Sequence, residues 1–188
     1  MSDFGLVPAP SAEICRRLVR EALPEWVAGW QPLAENLLGA DARIDLLGRD
    51  DRGRAVIALL GLEPGSDMAL VSFGLAQRDW VEDRLADWAQ LAPQAGLRAE
   101  SGVEVLLLAP ELRPAAVRAA ANHPELHALR LRFARDGRGE LRALIESAEG
   151  SGPLRPPAAR ANGGAGFRSG LTPEDLDLTP EEIAELQS

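Results

Sequence analysis

Asp45 stands inside an otherwise apolar run, Ala42-Arg43-Ile44-Asp45-Leu46-Leu47-Gly48. An unpaired charge in such a run is costly, so this carboxylate must either meet a cation of the protein or help to bind one. Joined by a second carboxylate and a backbone carbonyl, it would make the oxygen ligand set that a hard ion such as Mg²⁺ takes. The plainer expectation is an ion pair with Arg43, Arg54 or Arg78, or a place near the strand end.

The other chemistry-bearing residues are more scattered. His123 and His127 are four apart but straddle Pro124, which breaks the helical geometry that two metal ligands at this spacing need, so they read as surface or helix-terminal residues. Cys15 is the single cysteine, which excludes a disulfide framework and reads as a buried small hydrophobe. Neither Ser101-Gly102 nor Gly163-Gly164-Ala165-Gly166 has the strand-loop-helix setting with Lys that a phosphate loop requires. Arg130 and Arg132 share one face of a strand, with Arg135 and Arg138 in the adjoining turn. These four form either a solvated strand face or a strip of nucleic-acid contacts.

The elements that must position these groups follow from periodicity. Ser11 caps a helix reaching Leu23, with Ile14, Leu18 and Val19 on its apolar stripe. Trp26 and Trp30 are spaced for one helical face and should pack in the core. Strands are expected at Leu33–Leu38, Ala42–Gly48 and Ala55–Leu62. The last two join through the polar turn Arg49–Gly53 as a hairpin, and Ala55–Leu62 is apolar enough to lie buried on both faces. After Pro64-Gly65-Ser66 a long helix is expected from Met68 to Leu91, its stripe running through Leu70, Phe73, Ala76, Trp80, Leu85, Trp88 and Leu91. A strand at Val103–Ala109, a Pro-led helix at Pro114–Asn122 and a second hairpin of Leu126–Phe133 with Glu140–Ile145 complete the domain.

This order of elements resembles the core of the restriction-endonuclease-like, or PD-(D/E)XK, nucleases over residues 10–146. Arg43-Ile44-Asp45-Leu46-Leu47, the polar turn ending in Gly53 and Arg54-Ala55-Val56-Ile57 carry the local likeness. Gln77-Arg78-Asp79-Trp80-Val81 resembles that family's Gln-plus-aromatic helical stretch, with Trp80 in the core and Gln77 near the old cleft. The resemblance implies a mixed central sheet flanked by helices. It also places the family's Glu-x-Lys on Ala58-Leu59-Leu60, where both functional side chains are missing, so Asp45 reads as a vestigial ligand and no metal or cofactor is expected. A rearranged site would have to draw on Glu35, Glu63 or Glu82 and would then use Mg²⁺. The chain has no Lys, so its cation would be Arg54 or Arg78, neither of which can act as a base.

Composition bounds the partners. The formal charge of −9 argues against general nucleic-acid affinity. Residues 171–188 hold six acids and no base, whereas residues 1–150 hold 23 acids and 17 bases, leaving room there for a local basic patch. A nuclease-like domain over 1–148, a flexible linker over 149–170 and an acidic tail over 171–188 are therefore expected. The tail repeats Leu-Thr-Pro-Glu, a helix-start pattern, and its Leu178, Ile183 and Leu186 form a small apolar face suited to a protein partner. With no signal pattern and no long apolar run, a cytoplasmic protein away from membranes is expected. The oligomeric state is left open. The leading functional expectation is a catalytically inactive interaction or scaffolding module. A non-cutting nucleic-acid binder comes next, and a nuclease with a rearranged site last.

Overall fold

A computed structural model describes residues 5–40 and 42–148, and the tail with Leu178, Ile183 and Leu186 lies outside them. Seven strands make one mixed sheet: β1 (Gly5–Val7), β2 (Gln31–Leu38), β3 (Arg43–Arg49), β4 (Ala55–Leu60), β5 (Val103–Ala109), β6 (Leu126–Arg135) and β7 (Leu141–Ser147). Antiparallel pairing joins β2 to β3 and β3 to β4, whereas β4–β5 and β5–β6 are parallel. Strand β6 outruns β5, and β1 pairs antiparallel with its far end through Gly5–Arg135 to Val7–Phe133, while β7 takes the other edge.

Helices cover both faces, which is why β4 and β5 read as unbroken apolar runs. On one side α1 (Ala12–Ala22) packs Cys15, Leu18 and Val19 over Leu46, Val56, Ala58, Leu106, Leu108, Leu129 and Leu131. On the other, α2 (Asp67–Glu82), α3 (Leu85–Leu91) and α4 (Pro114–Ala121) cover Ile57, Leu59, Val105, Leu107, Leu126 and Ala128 with Leu70, Val71, Val81, Leu85, Ala116 and Ala120. The mixed sheet between helices is the fold class expected from the sequence.

The two hairpins close by the same device. Asp50 Oδ1 accepts the N–H groups of Arg52 and Arg54 at 2.9 Å each, and Asp136 Oδ1 accepts those of Arg138 and Glu140 at 2.9 and 3.0 Å. Three residues past each Asp comes a Gly at positive φ, Gly53 at 79° and Gly139 at 81°, a conformation that L side chains resist.

Two expectations need correction, and one strand goes beyond them. The Met68–Leu91 segment is two helices, not one. At the break Arg84 N bonds to Val81 O, and the Arg84 guanidinium stacks 4.3 Å from the Trp80 ring while its Nη1 donates to Trp80 O at 2.9 Å. That side chain satisfies a carbonyl which the interrupted helix leaves open, and it lets Trp88 turn edge-on to Trp80 at 5.8 Å. The buried stripe of α2 consequently runs through Leu70, Val71, Gly74, Gln77 and Val81, while Phe73 and Leu91 point outward at 42% and 83% exposure. Trp26 and Trp30 are not on a helix: a short 3₁₀ turn, Leu23–Glu25, precedes them, and Trp30 leads into β2 with its ring over Gly48. Strand β1 has too few residues to show a period, and it forms because β6 offers an edge beyond β5.

Candidate functional site

Asp45 lies where β3 and β4 part. The paired register ends at Leu46–Ala58, and Asp45 Oδ2 then accepts the N–H of Leu60 at 2.8 Å. Its Oδ1 faces Arg16 of α1 at 3.7 Å. Burial pushes the carboxyl above its ordinary range, against the opposing pull of the Leu60 N–H and of Arg16. None of the expected cations reaches it. Arg43 donates to Asn36 at 2.9 Å, Arg54 holds Asp50 and Glu104, and Arg78 holds Asp79 and Glu82 at 3.0 and 2.9 Å. The partner came instead from the first helix, 29 residues away in the chain.

The positions aligned with Glu-x-Lys point into the core. Ala58 is fully buried beside Leu46 in the register, and Leu60 packs partly buried against the same apolar cluster. Glu35 pairs with Arg20, and Glu82 with Arg78. Glu63 is exposed beyond the carboxyl end of β4, where Gly61, Leu62, Pro64, Gly65, Pro110 and Glu111 complete a cleft of about 190 Å³. Among the described residues no three His, Cys, Asp or Glu side chains stand where they could hold one metal ion. This donor set does not fit Mg²⁺: one carboxylate, already shared by a backbone amide and a guanidinium, has no second carboxylate beside it at position 58 and no cation at position 60.

A polar row missed in the sequence crosses the opposite end of the parallel strands. Buried Glu104 of β5 accepts from Arg54, which also bonds Asp50 Oδ2 at 3.0 Å, and its other oxygen meets His127 Nε2. His127 is therefore not a surface residue but half-buried in a charged network, whereas His123 does follow the end of α4. The signal was the one that exposed Asp45, a single acid in an apolar strand. Gln77 is wholly buried and brackets the β2–β3 turn, accepting from Ala40 N at 3.1 Å and donating to Ala42 O at 3.0 Å. Gly39 leaves the space this bracket fills, since a Cβ there would lie 1.8 Å from Gln77 Oε1. Cys15 is buried, its thiol pushed up by desolvation and donating to Pro10 O at 3.4 Å.

The four arginines do not form one strip. Strand alternation puts Arg130 and Arg132 on the α4 side of β6, with Arg135 on the other side, where it donates to Gly139 O at 2.9 Å. Arg138 sits in the turn beyond.

Fold and site together define an α/β domain, a mixed sheet between helices, in which the buried acids Asp45 and Glu104 are each held by other groups of the chain. The chain is similar to a repair endonuclease from Pyrococcus abyssi (18% identity, TM-score 0.44, 67% of this chain and 47% of that one). It is similar also to EndoMS in apo form (19%, 0.40, 64% and 46%) and to EndoMS in a complex with double-stranded DNA (18%, 0.37, 67% and 47%). The match spans just under half the length of each of those chains. No family model and no curated protein matches the chain. No helix among the described residues is long and apolar enough to cross a membrane.

Proposed function

We propose that this chain is a non-cleaving domain of nuclease-type architecture that works as a protein-interaction module. The observation that carries the first half is the state of Asp45. Its carboxylate is spent on the Leu60 N–H and on Arg16, and Ala58 and Leu60 beside it are core residues. A hydrolytic centre needs a metal to stabilise the developing phosphate charge and a group to activate water, and this strand pair supplies neither. Support for a protein partner comes from exposed apolar side chains on the two outer strands of the sheet, Leu6 of β1 at 62% and Leu38 of β2 at 72%.

The test is a cleavage assay of the purified chain on labelled DNA and RNA with Mg²⁺ or Mn²⁺, alongside calorimetric titration of the same metals. No cleavage and no stoichiometric metal uptake are expected. Metal-dependent cleavage that disappears in Asp45→Ala would overturn the reading and return Glu35, Glu63 and Glu82 as ligand candidates. Binding of nucleic acid without cutting is the second reading, and one observation favours it: Arg130 and Arg132 make no ion pair among the described residues.

A further inference from the structure

Helix α4 covers only the first half of its face of β6, at Leu126 and Ala128. The strand runs on to Arg135, and among the described residues no helix packs over the rest of this face, which carries half-buried Arg130 and exposed Arg132. Across the ladder Arg130 lies opposite Glu146, Arg132 opposite Leu144, and Ala134 opposite Arg142 on one side and Leu6 on the other. Directly paired residues share a face, so Arg130 and Arg132, which make no ion pair among the described residues, stand with Leu6, Leu144, Arg142, Glu146 and the fully buried Ala134. Arg142 on the same face meets Asp136 and Glu140.

We infer that this open sheet face docks an acidic amphipathic helix of a partner protein, which rests on the interaction reading above. Charge selects an anionic occupant for Arg130 and Arg132. Leu6, 62% exposed, and Leu144 select one that also brings apolar side chains, which a phosphate backbone does not. Among the described residues this face carries no aromatic ring for bases to stack on, since Phe133 points into the α1-side core. Arg130 and Arg132 are two strand residues apart, about 7 Å. Carboxylates four apart on a helix, about 6 Å between Cβ atoms, match that spacing.

The experiment uses the full chain and a fluorescent helical peptide roughly four turns long, with Leu residues and a Glu pair four apart presented side by side on one face. Binding is expected, with a loss of about tenfold or more in Arg130→Ala/Arg132→Ala and a smaller loss in Leu6→Ser. Phe73→Ser, an exposed apolar residue on α2, should leave affinity unchanged. Equal binding of a scrambled peptide, or undiminished binding by the double variant, overturns the inference. So does salt-sensitive capture of labelled single-stranded DNA that the double variant loses, which would give the face to nucleic acid. Metal-dependent cleavage bears on the non-cleaving reading alone, so the two failures are told apart.

Discussion

Asp67, at the start of α2, grips Arg113, the residue just before α4, by both its backbone and its side chain: Arg113 N donates to Oδ2 at 2.8 Å, and its Nη2 and Nε reach Oδ1 at 2.6 and 2.9 Å. The carboxylate is 3% exposed and the guanidinium 59%, so the pair fixes the relative positions of two helices while leaving one end in water. These bonds hold the Asp67 carboxyl at about 2, below its ordinary 3.8. A group whose folded-state value is depressed stabilises the fold above its unfolded value and loses that contribution as pH falls toward the folded one. Asp67→Ala should therefore lower the melting midpoint by a few degrees at pH 7, and the gap between variant and wild type should narrow from pH 4 down to about 2. A gap of the same size at pH 2 and pH 7 would show that packing, not the ionised pair, accounts for it.

Asp45 should behave with the opposite sign. Its carboxyl is raised by burial, so the folded chain binds a proton more readily than the unfolded one, and stability falls as pH rises from 3.8 through the raised value. Asp45→Asn keeps an acceptor for the Leu60 N–H and removes the buried charge, while Arg16 can turn to water. At pH 7 the variant is expected within about 1 kcal/mol of wild type or above it, with the two curves meeting below pH 4. Urea unfolding across that range checks this, and a variant much weaker at pH 7 would make the Arg16 pair a principal support of the fold.

Gly48 and Trp30 form a tighter constraint. A Cβ on Gly48 would lie 2.3 Å from the Trp30 ring and 2.6 Å from Gln31 O, so neither a ring shift nor a strand shift alone relieves it. Gly48→Ala is expected to cost about 2–3 kcal/mol. Adding Trp30→Leu should make the double variant more stable than the sum of the single costs predicts, because the ring contact is gone. Strict additivity in chemical denaturation would show that the strand contact alone sets the cost.

What the sequence made legible was local. The β3–β4 hairpin, the double-sided burial of β4 and β5 and the Pro-led start of α4 each depend on residues within a few positions of one another, and all three stand in the fold. The α2–α3 break was hidden because neither Pro nor Gly marks it; a side-chain bond from Arg84 and a stack on Trp80 make it, and neither has a period. Asp45 stands out in its strand, but the sequence points to Arg43, Arg54 or Arg78 as its cation, whereas the packing of α1 on the sheet brings Arg16 to it. Glu104 carries the same sign in Val103–Ala109. Recognising it requires knowing that β4, β5 and β6 run parallel, so that Arg54 and His127 arrive beside it.

That row gives the last prediction. Glu104 is 7% exposed and accepts from Arg54 on one oxygen and meets His127 on the other, so truncating it strips both neighbours of a partner inside the sheet. Arg54 keeps Asp50, whose own oxygen also ties down the β3–β4 turn, and His127 has no other partner among the described residues. Glu104→Ala should cost about 3 kcal/mol, as removing one member of a buried ion pair does. The net worth of the row is a different quantity, because desolvating the charges offsets much of their attraction. Replacing Glu104 and His127 together by Leu, with Arg54 left on buried Asp50, is therefore expected to recover most of the single-variant loss. If the double variant is instead less stable than Glu104→Ala, the row itself holds the amino ends of β4, β5 and β6 together, and apolar packing cannot stand in for it.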